Sequence, residues 1–186
     1  MDWMREAIWL IDSIYFDTDC ISSFLWVKEE RLLTSLFKGK IKIPQQVYNE
    51  LSYPGIPQIK ARIDTLINSG EVVIEQIFTG TPEFGFYTKI TTSPDKSHIV
   101  IGKGEAAAIT LAFASGGIVA SNNLRGIAEY VSELNLQHFT TGDILTKGYH
   151  ASLITEDEGN MIWSAMLSKK RKIGATSFSD YMHTKK

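Results

Sequence analysis

The chain has 186 residues, 44% hydrophobic and 22% charged, with a formal net charge of −2 and one cysteine. This composition excludes a disordered chain and a protein held to nucleic acid by a broad positive surface, and a lone cysteine cannot form an internal disulfide. No apolar run nears the roughly 20 residues that cross a bilayer, and the acidic start Met1-Asp2-Trp3-Met4-Arg5-Glu6 does not read as a signal peptide, so a cytoplasmic protein without a membrane partner is expected.

Ile14-Tyr15-Phe16 is a short, β-favouring apolar run and predicts a buried strand. Apolar residues at helical spacing from Cys20 to Phe37, broken near Lys28-Glu29-Glu30, predict two helices, with Gly39 as a stop. Lys40 to Ile43 predicts a second strand. Pro44 suits the first turn of a helix through Leu51. A helix through Ile59, Ile63, Leu66 and Ile67 should end at Ser69-Gly70, before a third strand over Glu71 to Ile77. Thr79 to Ser97 reads as a loop with one helical stretch near Glu83 to Ile90. A helix from Glu105 to Ala114 stops at Gly116-Gly117. Ile118-Val119-Ala120 is a fourth strand, Leu124 to Leu134 a helix, and Gln137 to Thr140 a fifth strand. Gly142-Asp143-Ile144-Leu145 opens a further helix. The last helix, Asp157 to Lys170, begins in acids and ends in Lys169-Lys170-Arg171-Lys172, an order that complements the helix dipole.

A β–α unit repeated about five times predicts one domain with a three-layer α/β/α architecture around a mostly parallel sheet of about five strands. Its core should run from about residue 14 to 145, with a helical extension over about 146–186.

In such sheets functional groups gather at the carboxyl ends of the strands. Asp17 follows the first strand, Asn122 and Asn123 follow the fourth, and Glu50 and Glu105 lie on helices that could reach the same crevice. Converging carboxylates repel one another unless a cation neutralises them. Mg²⁺ and Mn²⁺ favour oxygen ligands and can polarise a phosphodiester. The residues themselves therefore point to metal-assisted phosphodiester hydrolysis.

These segments also carry a family resemblance. Phe16-Asp17-Thr18-Asp19, Val47-Tyr48-Asn49-Glu50-Leu51 and Gly104-Glu105-Ala106-Ala107-Ala108-Ile109-Thr110-Leu111-Ala112 follow one another in the order found in PIN-domain ribonucleases. With Thr141-Gly142-Asp143-Ile144-Leu145 and the helical tail, the chain resembles one subfamily of uncharacterised bacterial and archaeal PIN proteins. The resemblance covers about residues 14–145. It implies that Asp17, Glu50 and Glu105 bind Mg²⁺ or Mn²⁺, with Thr18 supporting the turn. It also implies cleavage of single-stranded RNA, a toxin–antitoxin pairing and a homodimer. The family carries acids after strand four, whereas this chain has Ser121-Asn122-Asn123. Asn123 matches the missing acid and could coordinate only through its carbonyl oxygen. Asn122, Asp19 and Asp143 are further candidates to complete the set.

Each residue has a plainer role available. Asp17 could be an N-cap, Glu105 and Asp143 dipole partners, Glu50 a solvated helix residue and the asparagines a turn. Lys169 to Lys172 reads as a solvated helix end more readily than as a phosphate contact. The histidines show no ligand spacing. Two other functions stay open: a binding or regulatory PIN-like module that has lost turnover, and a small-molecule-binding doubly wound domain.

Overall fold

The computed structural model describes residues 13–95 and 98–184; the acidic start at Met1 to Glu6 and the end of the expected loop at Ser97 lie outside them. The elements run β1 (Ile14–Phe16), α1 (Thr18–Val27), α2 (Glu30–Leu36), β2 (Ile41–Pro44), α3 (Gln45–Leu51), α4 (Pro57–Asn68) and β3 (Val72–Glu75). They continue with α5 (Pro82–Thr92), α6 (Lys103–Ser115), β4 (Ile118–Ala120), α7 (Leu124–Glu133), β5 (Gln137–Phe139), α8 (Thr141–His150), α9 (Glu156–Ser168) and α10 (Phe178–Thr184). The five strands form one sheet in the order β3-β2-β1-β4-β5, parallel at every pairing. No described helix is long and apolar enough to cross a membrane.

Alternation along the strands divides the core into the two layers that flank the sheet. Ile14, Phe16, Ile41, Ile43, Ile118 and Ala120 face one cluster, where α1, α2, α4, α8 and α9 close over them. Tyr15 and Val119 face the other, covered by α6 and α7 with Ile90 of α5. Burial on both faces is why β1 and β4 read as unbroken apolar runs. Ala106, Ala107, Ala108 and Ala112 of α6 are fully buried, which lets this helix pack closely on the sheet. Gly116, at φ 71, takes the left-handed cap that ends α6 and turns the chain into β4.

The tail shares this core. Trp163, Met166, Ile173 and Phe178 join Phe16 and Phe24 in the first cluster. Trp163 is fully buried and its indole N–H donates to Ala175 O at 3.0 Å.

The chain adds β2 and β3 on one side of β1, then returns to add β4 and β5 on the other. The strand order therefore reverses between β1 and β4, where open parallel sheets form a crevice at their carboxyl ends.

Candidate functional site

Asp17 is the first residue beyond β1, and its backbone N–H donates to Ala120 O at 2.9 Å, carrying the β1–β4 pairing to the rim of the crevice. Its Oδ1 accepts the Cys20 N–H at 2.7 Å, so it caps α1. The cap accounts for one oxygen only. Oδ2 is buried and accepts no hydrogen bond of normal geometry among the described residues. Burial pushes the carboxyl up to about 7, with the nearby Ser121 hydroxyl and the Cys20 N–H opposing the shift and the charges of Asp19 and Glu105 adding to it.

Glu50 arrives from the last turn of α3 and accepts the Thr18 hydroxyl on Oε2. Glu105 stands in the first turn of α6, where Oε2 accepts the Gly102 N–H at 3.3 Å. Gly104 allows α6 to come this close. A Cβ there would lie 2.9 Å from Thr18 Oγ1 and 3.1 Å from Glu50 Oε2. Asp17, Asp19, Glu50 and Glu105 thus face one cavity of about 280 Å³, whose walls also include Thr18 and Arg171.

Asn123 is placed differently from the expectation that its carbonyl would face this cavity. Its Oδ1 accepts the Gly126 N–H at 3.1 Å as the N-cap of α7, and its Nδ2 donates to Glu105 Oε1 at 2.9 Å. The residue braces Glu105 from the side. Asn122 joins β4 to α8: Nδ2 donates to Thr141 Oγ1 at 2.9 Å and to Asp19 Oδ2 at 3.4 Å, and Oδ1 accepts the Thr141 N–H at 2.9 Å. Asp143 lies outside the crevice. Its Oδ2 closes the capping box of α8 by accepting the Thr140 N–H at 2.8 Å, and its Oδ1 accepts the Tyr181 hydroxyl at 3.1 Å.

Several contributors were not singled out from sequence. Ser121 is buried beside Asp17, and its carbonyl is bonded to His138 Nε2 at 2.8 Å. Ser22 and Arg171 line the cavity from α1 and from the turn after α9. Arg171 was legible only as one member of a basic run. Cys20 is fully buried with Sγ 3.6 Å from Thr141 Oγ1, and burial holds its thiol well above the usual range, which makes it no nucleophile.

Among the described residues no three His, Cys, Asp or Glu side chains are drawn into a closed ligand cluster. The oxygen-only donors line a cavity wall instead, an arrangement suited to a hard divalent ion that keeps several waters. The unpartnered Asp17 Oδ2 is the atom such an ion would satisfy, since a buried carboxylate without a partner is costly. Comparison of the chain with protein-family models gives no match, and comparison with curated proteins gives none either.

Proposed function

We propose that the protein is a cytoplasmic Mg²⁺- or Mn²⁺-dependent ribonuclease of the PIN type that hydrolyses single-stranded RNA. The observation that carries this reading is the convergence of Asp17, Asp19, Glu50 and Glu105 on one cavity at the sheet's switch point, with a buried carboxylate oxygen left unpartnered. Asp17, Glu50 and Glu105 hold the ion. Thr18 orients Glu50, and Asn123 orients Glu105 through its amide. When bound, the ion supplies Lewis-acid polarisation of the phosphodiester and a lowered pKa for water. Toxin–antitoxin pairing and a homodimer belong to the same proposal through the family resemblance.

Incubating the purified protein with single-stranded RNA and Mn²⁺ tests the reading. Cleavage that disappears on chelation and in Asp17→Ala is expected. Cleavage unchanged in Asp17→Ala overturns the site assignment.

A second reading, a PIN-like module that binds without cutting, is favoured by Asn123, whose carbonyl caps α7 and whose amide brings no charge to the crevice. Metal-dependent cleavage that appears only in Asn123→Asp would select it.

A further inference from the structure

The turn after α9 aims one cation of a four-residue basic run into the carboxylate cavity. Lys169 caps the helix, and Lys170 takes the left-handed conformation at φ 59. Two hydrogen bonds lock this turn: Lys170 N–H to Leu167 O at 2.8 Å and Arg171 N–H to Met166 O at 3.1 Å. This is the paired closure of a Schellman motif, and it reverses the chain direction. Arg171 Nε then donates to Lys169 O at 3.1 Å, fixing the stem of the guanidinium.

The head of Arg171 is held loosely. Nη1 lies 3.4 Å from Ser22 Oγ and 3.6 Å from Asp19 Oδ1, and its side chain is 24% exposed. Neither contact has the two-pronged geometry that saturates a guanidinium, and Nη2 makes no hydrogen bond among the described residues. A planar donor fork with unused N–H groups, set against a wall of carboxylates, matches a phosphate seated between them.

The next residue opens onto a second space. Lys172, Ile173 and Tyr181 face Asn122 and Leu124 across a recess of about 610 Å³. That volume falls in the roughly 300–1,000 Å³ range that small organic ligands fill. Leu124 is 55% exposed there, and Lys172 forms no ion pair among the described residues. The recess's acid, Asp180, is engaged by the Thr176 hydroxyl. Two links join recess and crevice. Arg171 and Lys172 are adjacent in the chain, and Asn122 of the recess wall donates to Asp19 of the crevice wall at 3.4 Å.

We propose that crevice and recess form one nucleotide subsite, in which Arg171 takes a phosphate beside the carboxylates and the recess takes the nucleoside attached to it. Lys172 stands at the mouth for the neighbouring phosphate of a single strand. The assignment of the ligand as part of a nucleic acid rests on the phosphodiesterase reading. Binding is read with Ca²⁺ present to neutralise the carboxylates and cleavage is read with Mn²⁺, which separates the two tests.

The whole protein is titrated in Ca²⁺ with a nucleoside 5′-monophosphate, inorganic phosphate and an uncharged nucleoside, and with a single-stranded oligonucleotide over a salt series. The nucleotide should bind at least about tenfold more tightly than either fragment, because joined fragments share one association cost. Arg171→Gln should weaken nucleotide and phosphate alike and lower the oligonucleotide's salt slope by about one. Arg171→Lys, which keeps the charge but not the planar fork, should restore only part of the phosphate affinity. Leu124→Ala should weaken the nucleotide and the nucleoside and leave inorganic phosphate unchanged. Lys172→Gln, altering an exposed side chain, should lower the slope even where Arg171→Gln perturbs the fold. A nucleotide bound no more tightly than phosphate, or a phosphate affinity and salt slope untouched by Arg171→Gln in folded protein, overturns the subsite. Nucleotide binding without Mn²⁺-dependent cleavage would instead overturn the nuclease reading and leave the subsite standing.

Discussion

The side-chain amide of Asn123 donates to Glu105 Oε1 at 2.9 Å, so the residue standing in place of an expected acid restrains one of the acids that remain. A carboxylate at position 123 would still cap α7, since aspartate and asparagine cap about equally well. It would lose the donor, however, and set a like charge against Glu105.

Asn123→Asp should therefore destabilise the metal-free protein by about 1–3 kcal/mol, the cost of a lost hydrogen bond plus charge repulsion. Adding Mn²⁺ should recover that loss and raise the melting temperature more in the variant than in the parent. Thermal unfolding in chelator and in Mn²⁺ measures both, and equal Mn²⁺ shifts in the two proteins would contradict it.

Asp17 gives a pH dependence of defined sign. Its folded carboxyl titrates near 7, against 3.8 for the ordinary group, so the native state binds more protons than the unfolded chain between those values. Its contribution is fully present below about pH 4 and is lost as the pH rises through 7. Asp17→Asn retains the capping oxygen and has no proton to lose. Relative to the parent it should gain stability with rising pH, by up to about 4 kcal/mol at pH 8. Denaturant midpoints in chelator at pH 4, 6 and 8 check this, and a difference that stays flat with pH refutes it.

Gly104→Ala separates site geometry from stability. The added methyl meets Thr18 Oγ1 at 2.9 Å and Glu50 Oε2 at 3.1 Å, so the Thr18–Glu50 pair must move. Alanine's better helix propensity offsets the crowding by about 1 kcal/mol. We expect a melting temperature within a few degrees of the parent, about 1 kcal/mol in stability, together with a clear loss of Mn²⁺ affinity. Calorimetric titration alongside thermal unfolding reports both.

Lys170→Gly should stabilise the protein by about 1 kcal/mol, because a lysine at φ 59 bears a steric cost that glycine avoids. An increased denaturant midpoint with an unchanged slope is the expected record.

Trp163→Ala tests whether the tail belongs to the core. Truncating a fully buried indole should cost about 3–5 kcal/mol. A loss below about 1 kcal/mol, read from equilibrium unfolding, would mark the tail as a loosely attached extension.

Much of the architecture was legible because it depends on local patterns. β1 and β4 are three apolar residues each, and Gly116 marks the end of α6 by conformational need. The edge strand β3 came out shorter than the expected Glu71 to Ile77, with Val73 51% exposed, because an edge strand has a neighbour on one side only. α5 is longer than its reading, running Pro82–Thr92. Thr81 caps it by accepting the Phe84 N–H at 3.2 Å, a stronger local signal than the interruption at Gly85. α10 escaped notice because seven residues are too few to display a periodicity.

The carboxylates of the site were legible as residue types at strand and helix ends. Their partners were not. That Asn123 would spend its carbonyl on a cap depends on the backbone at α7. That Arg171, alone among four basic neighbours, would reach the cavity depends on a left-handed residue before it and on how α9 lies over α1. Such facts belong to tertiary geometry, and a run of like charges carries no mark of which member turns inward.

The contacts around the crevice also set an order of assembly. Thr18 meets Glu50 across 32 positions, Asp19 meets Asn122 across 103, and Ser22 meets Arg171 across 149. Counted from the first helix, the partners lie progressively later in the chain, at Glu50, Asn122 and Arg171. A chain emerging during synthesis would gather its acids well before their counter-cation joined them. The crevice would pass through a stage of unrelieved negative charge, and a late-arriving segment would complete it.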